Sequence, residues 1–355
     1  MRPDDDHCLA LLRSGAIGID VRSPVEFDSG HLPRAINLPI LNNDERAAVG
    51  TTYQQDGDEA ATALGHQLIS GDVKAERIAA WTDLLKDQPK AYLYCWRGGA
   101  RSSIACKWLG ELGLSPMRIE GGYKRLRNLC LDALEVTPEK TRHWWIVGGR
   151  TGSGKTRFLV DLDYSIDLEG LANHRGSAFG AALTPQPAVP SFENALACSL
   201  LAHNAPLLVL EDESRTIGRV GLPESFFRAM QQAPVVILEA ELSERIDAIR
   251  AEYIDAALQL MNPDALHARF RSALARIQRR LGGQRHRDIL AAMMHGFEHG
   301  EHEGWIERLL TWYYDPMYDY QLEKKQARIR FSGPAADTRS FLEQAFLDAQ
   351  RPFPT

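Results

Sequence analysis

The segment Gly149-Arg-Thr-Gly-Ser-Gly-Lys-Thr156 constrains the fold more than any other part of the sequence, because it matches the pattern G-x-x-x-x-G-K-[ST]. The apolar run Trp144–Val147 precedes it and a stretch of helical spacing follows, which is the strand–loop–helix context that the motif requires. Glycines let the backbone wrap closely around phosphate oxygens, Lys155 adds a positive charge, and Thr156 can hold a metal-bound phosphate. The predicted phosphate-binding residues are Gly149, Thr151, Gly152, Ser153, Gly154, Lys155 and Thr156.

The ligand of this phosphate loop stays open on chemistry alone, because ATP, a prenyl diphosphate and an RNA phosphate all present the oxygens that it would bind. A second apolar run, Leu207–Leu210, ends in the acids Glu211 and Asp212. These acids can hold Mg²⁺ through water, or they can simply cap a helix. Mg²⁺ is therefore an admissible cofactor, and no direct metal ligand is assigned.

A second loop places Cys95 directly after the apolar residues Tyr92-Leu-Tyr94 and before two glycines and a helical stretch. This arrangement aims backbone N–H groups at one point, where they stabilise a thiolate or a bound oxyanion. Arg97 and Arg101 would stabilise the negative charge further, so we predict that Cys95, Arg97 and Arg101 are catalytic. Three other cysteines, Cys106, Cys130 and Cys198, lack such surroundings and are interpreted as buried small residues.

The length of 355 residues predicts two domains, since it exceeds one ordinary compact core. Short apolar runs alternate with helical stretches, which is typical of α/β domains with parallel sheets. The strand candidates are Ile17–Val21, Ala35–Leu38, Ala91–Tyr94, Met117–Ile119, Trp144–Val147, Leu207–Leu210, Val235–Leu238 and Ala327–Phe331. We place the first domain at residues 1–133 and the second at 134–355, with a helical, arginine-rich insertion at about 243–310.

The composition is that of a globular protein, with 44% hydrophobic and 25% charged residues. The first six residues contain no apolar core of signal-peptide length, and no apolar run elsewhere is long enough to span a membrane. We therefore expect a cytoplasmic protein without a membrane partner.

Five cysteines without a C-x-x-C pair suggest neither a disulfide framework nor a zinc site.

Seven arginines and no acidic residue lie between Ala265 and Arg287. A solvated helix face is the ordinary explanation, but such faces usually carry acids for i,i+4 pairing, so we favour contact with a nucleic-acid backbone. The net charge of −6 argues mildly against such a partner, although a global sum can hide a local patch. The predicted contacts are Arg269, Arg271, Arg276, Arg279, Arg280, Arg285 and Arg287. Tyrosines in the segment Tyr313–Tyr320 can stack on unpaired bases, but an aromatic stripe is more often core.

The first half of the chain resembles the rhodanese family, whose loop cysteine carries a transferable sulfur as a persulfide. The resemblance rests on Ile19–Pro39, on the Cys95 loop and on Glu120-Gly-Gly-Tyr123. Five residues separate Cys95 from Arg101, which is also the spacing of cysteine phosphatases, so a phosphatase alternative stays open. It is weakened because Tyr94 stands where phosphatases usually have histidine and because no general acid is evident.

The combination of a rhodanese-like domain with a phosphate-loop domain resembles the tRNA 2-selenouridine synthase family. Matching segments run through nearly the whole chain; they are Cys95–Ser102, Leu168–Gly180, Ser191–Asn194, Glu211–Gly218, Arg280–Gln284 and Tyr313–Tyr320. The resemblance implies that the second domain is P-loop NTPase-like. Three residues in these segments, His174, Arg175 and Arg215, are polar residues of glycine-rich or acidic loops, and we regard them as possible members of a second site together with Glu211 and Asp212.

This resemblance also implies the reaction: the wobble 2-thiouridine of a tRNA is S-geranylated with geranyl diphosphate and then converted to 2-selenouridine with selenophosphate. The expected partners are tRNA and an enzyme that supplies selenophosphate. We expect the phosphate loop to bind the prenyl diphosphate and Cys95 to handle selenium, either as a covalent carrier or with selenophosphate bound in its loop. Two alternatives stay open: a small-molecule kinase fused to a sulfurtransferase or cysteine-phosphatase domain, and a non-enzymatic RNA-binding regulator.

Overall fold

The computed structural model describes residues 5–350, apart from the side chains of Pro138 and Glu139. The expectation about a signal peptide rests partly on residues 1–4, which lie outside the described range, as do the outer ends of the two predicted domains. The chain divides into two compact units. One contains the residues up to Glu135 together with Pro187–Asn204, and the other contains Val136–Gln186 together with the residues from Ala205 onward.

The elements are numbered in chain order. The strands are β1 Gly18–Asp20, β2 Ala35–Asn37, β3 Tyr92–Tyr94, β4 Met117–Arg118, β5 Trp144–Gly148, β6 Ser165–Ile166, β7 Leu208–Glu211, β8 Thr216–Ile217, β9 Val220–Gly221, β10 Val235–Leu238 and β11 Ile329–Gly333. The helices are α1 Asp5–Ser14, α2 Pro24–Asp28, α3 Asn43–Leu68, α4 Gly71–Asp87, α5 Ala100–Gly110, α6 Gly122–Leu134, α7 Pro138–Thr141, α8 Lys155–Val160, α9 Leu168–Ala172, α10 Val189–Ala202, α11 Glu224–Gln232, α12 Leu242–Ile249, α13 Ala256–Leu258, α14 Pro263–Leu281, α15 Gly283–His299, α16 Glu303–Leu309, α17 Asp315–Lys325 and α18 Ala335–Gln350.

The first unit is built on a four-stranded parallel sheet with the order β2-β1-β3-β4. The central strands β1 and β3 are buried throughout, as expected for strands inside a parallel sheet. Ile19 and Leu93 pair across them and join an apolar core that also contains Trp81, Trp108 and Cys95. The carboxyl end of β3 therefore leads straight from the core into the cysteine loop.

Helix α10 belongs to this first unit although it follows the phosphate loop in the sequence. It packs against α1 and α6. The guanidinium of Arg127 on α6 donates to the side-chain oxygen of Asn194 at 2.9 Å and pairs with Glu193. The sequence pattern did not anticipate this return of the chain.

The second unit has a five-stranded parallel sheet with the order β11-β10-β5-β7-β6. Strand β5 lies at its centre, where Val147 pairs with Val236 of β10 on one side and Glu211 of β7 on the other. Because parallel strands end at the same edge, the loop after β5 lies next to the acid at the end of β7. The short hairpin β8–β9 is antiparallel and separate from this sheet.

Helices fill residues 242–309 of the second unit, interrupted by a π-helical stretch at Arg250–Asp255. Helix α14 begins where the side-chain oxygen of Asn262 accepts from the amide of Ala265 at 2.8 Å, with Pro263 in its first turn. It ends at Gly282, whose φ of 89° suits glycine. The buried faces of these helices meet in one apolar cluster that contains Phe270, Leu274, Ile289, Met293 and Trp305.

The predicted fold class, α/β with parallel sheets in a rhodanese-like part and a phosphate-loop part, is confirmed. Each predicted strand overlaps an observed strand, with ends that agree within about two residues, as is usual for boundaries. Strand β6 and the hairpin β8–β9 were not predicted, because their two-residue strands do not lie in apolar runs of the sequence. Within residues 5–350, no helix is long and apolar enough to cross a membrane.

Candidate active sites

The cysteine loop begins directly after β3 and ends where α5 starts at Ala100. Cys95 is buried, and its Sγ lies 3.2 Å from Oγ of Ser102, within hydrogen-bonding distance. Ser102 is fully buried on the first turn of α5. The hydroxyl also lies 3.2 Å from the Gly99 carbonyl, so its one proton can be donated either to that carbonyl or to a thiolate of Cys95.

Backbone contacts hold the carbonyl groups of this loop away from its centre. The carbonyls of Cys95 and Trp96 accept from the amides of Tyr123 at 2.8 Å and Lys124 at 3.0 Å, and the Gly98 carbonyl accepts from Arg118 at 2.5 Å. In the described part of the chain, none of the amides of residues 96–101 donates a hydrogen bond. Successive free amides of this kind form an anion-binding concavity.

Gly122 is required for this arrangement. Its φ is 56°, and a Cβ atom there would collide with the carbonyl oxygen of Cys95 and the amide of Gly98. The glycine pair Gly121-Gly122 at the start of α6 thus lets that helix approach the loop closely. The Glu120–Tyr123 segment that carried part of the rhodanese resemblance has a steric role beneath the cysteine loop.

The two arginines of the loop have different surroundings. Arg101 donates to both carboxylate oxygens of Glu26, at 2.5 and 3.0 Å. Although burial acts to raise it, the hydrogen bonds and charge of Arg101 hold the pKa of Glu26 at about 2. Two of the guanidinium N–H groups are used in this pair, so others stay available to an anion in the loop. Arg97 is exposed, and no ion pair holds its side chain within the described residues.

The phosphate loop joins β5 to α8 in the second unit. Within residues 5–350, the amides of residues 150–152 and 154–156 donate no hydrogen bond, so they form a second anion-binding concavity. The ammonium group of Lys155 lies 2.7 Å from the carbonyl of Gly149 and 3.4 Å from that of Arg150. Ser153 is buried, and its hydroxyl has no hydrogen-bond partner there. All the predicted phosphate-binding residues thus lie around one concavity.

A buried arginine supports this loop from the helical region. Arg245 on α12 donates to the carbonyl of Thr151 at 2.9 Å and to both oxygens of Asp315, at 3.1 and 2.5 Å. Gly152, with φ of 85°, is needed here because a Cβ would lie 2.8 Å from the carbonyl of Arg245. Arg245 and Asp315 therefore fix the position of the phosphate loop.

Three glutamates surround the end of the loop where Thr156 lies. The Thr156 hydroxyl donates to Glu169 at 3.0 Å, and the amide of Glu169 donates to Glu211 at 2.9 Å. Burial, followed by the charges of Glu169 and Asp167, raises the pKa of Glu211 to about 9. Burial and the charge of Glu169 raise the pKa of Glu213 to about 8, although Lys155 acts to lower it. These two carboxyls are therefore protonated near neutral pH.

The raised pKa of Glu211 predicts a pH-dependent stability. In the unfolded chain a glutamate ionises near pH 4.3, so the proton retained by folded Glu211 stabilises the fold at low pH, and this stabilisation is lost as the pH rises towards 9. Glu211→Gln should remove this decrease in the free energy of unfolding, which amounts to at most about 1.4 kcal/mol per pH unit for one proton. Urea unfolding at several pH values from 5 to 9 would measure the free energy of unfolding of both proteins, with the exposed substitution Glu323→Gln as control. Parallel pH profiles for the wild type and Glu211→Gln would contradict the prediction.

The other acids and the arginine predicted for a second site have local partners. Asp212 accepts from Lys325 at 2.6 and 2.7 Å, and exposed Arg215 pairs with Glu224 at 3.0 Å. Among residues 5–350, no group of three or more His, Cys, Asp or Glu side chains is arranged to hold a metal ion. Direct metal binding by Glu211 and Asp212 thus has no support from the geometry.

His174 and Arg175 line a cavity of about 350 Å³ that begins at the phosphate loop. Thr156 and Glu169 lie at its polar end. Its apolar walls are Phe179, Leu183, Tyr253, Ala256, Ala257, Leu260, Leu266 and Phe270. Burial lowers the pKa of His174, and its Nδ1 has no hydrogen-bond partner within the described residues. The Arg175 guanidinium lies 4.6 Å from the ring centroid of Tyr253. The wall also contains the acids Asp167 and Glu252 and the base Arg269, so the cavity joins the Thr156 end of the phosphate loop to a largely apolar interior with a few charged side chains.

The seven arginines of residues 265–287 lie on α14 and α15. Two of them hold a neighbouring loop, since Arg276 donates to the carbonyl of Ala178 at 2.7 Å and Arg269 donates to those of Ala181 and Ala182. Arg285 lies over Trp312, and Arg287 donates to Gln284 at 2.6 Å. The exposed members are Arg271, Arg276, Arg279, Arg280, Arg285 and Arg287, and within residues 5–350 none of the seven forms an ion pair.

Tyr313 and Tyr314 are buried in the apolar cluster and cannot stack on a base.

Sequence reasoning missed several residues of these sites. Glu26, Ser102 and Glu213 each lie in a segment that the motifs identified, but nothing in a single sequence shows which of its polar residues turns towards the site. Arg245 and Asp315 lie far along the chain from the phosphate loop, so only the fold brings them to it.

Comparisons with known proteins identify the family. Residues 6–129 match the model of the rhodanese-like domain, and residues 142–349 match that of the tRNA 2-selenouridine synthase AAA domain. The tRNA 2-selenouridine synthase of Marinobacter nauticus is 45% identical over 94% of this chain and 95% of its own length. Those of Hydrogenovibrio crunogenus and Cronobacter sakazakii are 43% and 44% identical, over 97% of this chain and over 99% and 97% of their own lengths. The chain therefore belongs to the tRNA 2-selenouridine synthase family.

Proposed function

We propose that this chain converts the wobble 2-thiouridine of tRNA to 2-selenouridine in two steps, first S-geranylation with geranyl diphosphate and then replacement of sulfur with selenium from selenophosphate. Family membership supports the overall conversion. The observation that carries the prenyl route is the cavity that begins at Thr156 of the phosphate loop and has a largely apolar wall formed by residues such as Leu183, Leu260 and Phe270. The diphosphate of a prenyl donor would bind at the phosphate loop, and its prenyl chain would pack against these apolar side chains.

In the first step the thiouridine sulfur attacks C1 of geranyl diphosphate, a C–S bond forms, the C–O bond breaks and diphosphate leaves, while the N3 proton of the base passes to water. The free amides of the phosphate loop and Lys155 would bind the diphosphate and stabilise the charge that develops on it. Where Mg²⁺ takes part, the Thr156 hydroxyl would help to hold it, and the ion would supply positive charge that stabilises the leaving diphosphate. Protonated Glu211 and Glu213 avoid repulsion of the anion.

In the second step selenium attacks C2 of the alkylated base, the C2–Se bond forms and the C2–S bond breaks. Geranylthiolate leaves and takes a proton from water, and hydrolysis of the Se–P bond releases phosphate. The amides of residues 96–101, with Arg97 and Arg101, would bind the oxyanions of selenophosphate beside Cys95. A selenium atom carried on Cys95 as a perselenide would have to be oxidised first, so we favour bound selenophosphate over the covalent carrier.

The exposed arginines of α14 and α15 are proposed to bind the tRNA backbone. Replacing Arg279 and Arg280 with glutamine should weaken tRNA binding. The logarithm of the association constant falls with the logarithm of the salt concentration, and this fall should become less steep by about 0.9 for each lost phosphate contact. Filter binding of tRNA between low and moderate salt would measure both effects. Arg228→Gln is the control, because Arg228 is equally exposed but pairs with Glu224. An unchanged salt slope would remove these arginines from the interface.

Incubating the purified chain with 2-thiouridine tRNA and geranyl diphosphate, then adding selenophosphate, tests the proposed function. Mass spectrometry of the nucleosides should detect S-geranyl-2-thiouridine first and 2-selenouridine after the addition. An unchanged thiouridine mass would contradict the assignment. ATP turnover without tRNA, together with no tRNA binding, would support the kinase alternative instead.

A further inference from the structure

The first unit contains a larger cavity, of about 650 Å³, that the reaction scheme above leaves without a ligand. It lies between α3 and α5, and its volume is within the range of about 300–1,000 Å³ that holds small molecules in proteins. Helix α3 is broken at Gly57, where φ is 88° and ψ is −175°, and the cavity lies along both of its segments. It is a feature of the fold of this unit and not of the phosphate loop.

The cavity is continuous with the cysteine loop. Ala100 and Arg101, the first residues of α5 after that loop, form part of its wall, and Ile104 follows one turn later. The apolar wall residues Ile40, Ile69 and Trp108 belong to the same buried cluster as Cys95. Polar residues of α3 such as Arg46, Asp58 and His66 also line the cavity, so a ligand with one end against Arg101 would pack its other end against the apolar part of the wall.

We propose that this cavity binds the prenyl chain of the S-alkylated tRNA base while its C2 atom lies at the cysteine loop. The inference rests on the proposed function, in which selenation acts on a base that carries a ten-carbon apolar substituent. That substituent must leave water or remain exposed during the second step, and burying it in an apolar cavity is favourable. The shared wall at Arg101 places the cavity next to the anion-binding amides, so selenium and the departing thiol meet the base together.

The proposal makes the cavity a specificity site of the selenation step. A tRNA with S-geranyl-2-thiouridine should be selenated better than one with S-methyl-2-thiouridine, because the methyl group leaves the cavity empty. For the intact wild-type chain we expect a ratio of kcat/KM values of at least about tenfold, because extra apolar carbons raise transition-state binding when a pocket receives them.

Two neighbouring tryptophan substitutions test the cavity itself. Thr62 is exposed and lines the cavity, whereas Ala63 is exposed on the same helix and does not. Thr62→Trp should lower kcat/KM for the S-geranyl tRNA about tenfold by filling the space, and leave that for the S-methyl tRNA unchanged. Ala63→Trp should match the wild type with both substrates. Selenation of the S-methyl tRNA, which uses the same unit as the two substitutions, should stay normal in both variants and shows that this unit is folded.

The outcomes separate this inference from the function on which it rests. A wild-type chain that selenates both alkylated tRNAs equally well, or a Thr62→Trp variant that retains the wild-type preference, would overturn the role of the cavity alone. A wild-type chain that selenates neither alkylated tRNA would contradict the proposed function. A preference for the S-geranyl tRNA that Thr62→Trp abolishes and Ala63→Trp keeps would establish the site.

Discussion

Cys95→Ala is expected to lower selenation by about 10²–10³-fold, the usual loss when one group of an anion-binding site is removed, while S-geranylation continues at the wild-type rate. The variant loses the sulfur that lies 3.2 Å from the Ser102 hydroxyl, in the loop where we propose that selenophosphate binds. The phosphate loop is untouched, because it belongs to the other compact unit. Incubation with all three substrates should therefore accumulate S-geranyl-2-thiouridine, which nucleoside mass spectrometry would detect.

Cys106→Ala is the matched control for this experiment. Cys106 lies on the same helix α5 and packs against the same apolar cluster, but it is not part of the loop. Its replacement should leave both steps intact. If Cys95→Ala lost geranylation together with selenation, or retained both, the division of the two steps between the two loops would be wrong.

Lys155→Ala is expected to have the opposite effect and to lower geranylation by about 10²–10³-fold, the usual loss when one charge-stabilising donor is removed. Its ammonium group lies at the mouth of the phosphate loop, beside the free amides, where the leaving diphosphate would develop its charge. Selenation of tRNA that already carries S-geranyl-2-thiouridine should proceed normally. Single-turnover assays of each step with the separate substrates would measure both rates.

Lys324→Ala serves as the control for Lys155→Ala, because Lys324 is an exposed lysine of the same unit that lies over the ring of Tyr320, and its helix α17 contacts the phosphate loop through Asp319 and not through Lys324. It should leave geranylation unchanged. A Lys155→Ala variant that geranylates normally, or that fails to selenate pre-alkylated tRNA, would show that the phosphate loop has a different ligand.

The two α/β units were predictable because their strands are short apolar runs bounded by glycine, proline or acids, and because each glycine-rich loop directly follows such a run. Parallel strand order then places the loops at a sheet edge without further information. The path of α10 back to the first unit was not predictable, because its contacts with α6, such as Arg127 with Asn194, depend on tertiary packing. The cavity along the broken helix α3 was unpredictable for the same reason.

For the candidate sites, the sequence indicated which loops to consider but not how their charges are balanced. For Glu211 the sequence left open water-mediated binding of Mg²⁺ or the capping of a helix; its carboxyl accepts from the amide of Glu169 at the start of α9, and burial, followed by the charge of Glu169, raises its pKa to about 9. Asp212 is neutralised by Lys325, over a hundred positions along the chain. The arginines of α14 were predicted as one surface, yet Arg269 and Arg276 donate to backbone carbonyls of a neighbouring loop. Such pairings depend on long-range contacts that a motif does not contain.

The central claim is that one chain performs two separable steps, at a phosphate loop and at a cysteine loop, and a transfer experiment between variants tests it most directly. The tRNA modified by Cys95→Ala with geranyl diphosphate would be purified and given to Lys155→Ala with selenophosphate alone. We predict that mass spectrometry of its nucleosides will detect 2-selenouridine at the wild-type yield. Recovery of unreacted S-geranyl-2-thiouridine, or of unmodified 2-thiouridine from the first incubation, would contradict the account.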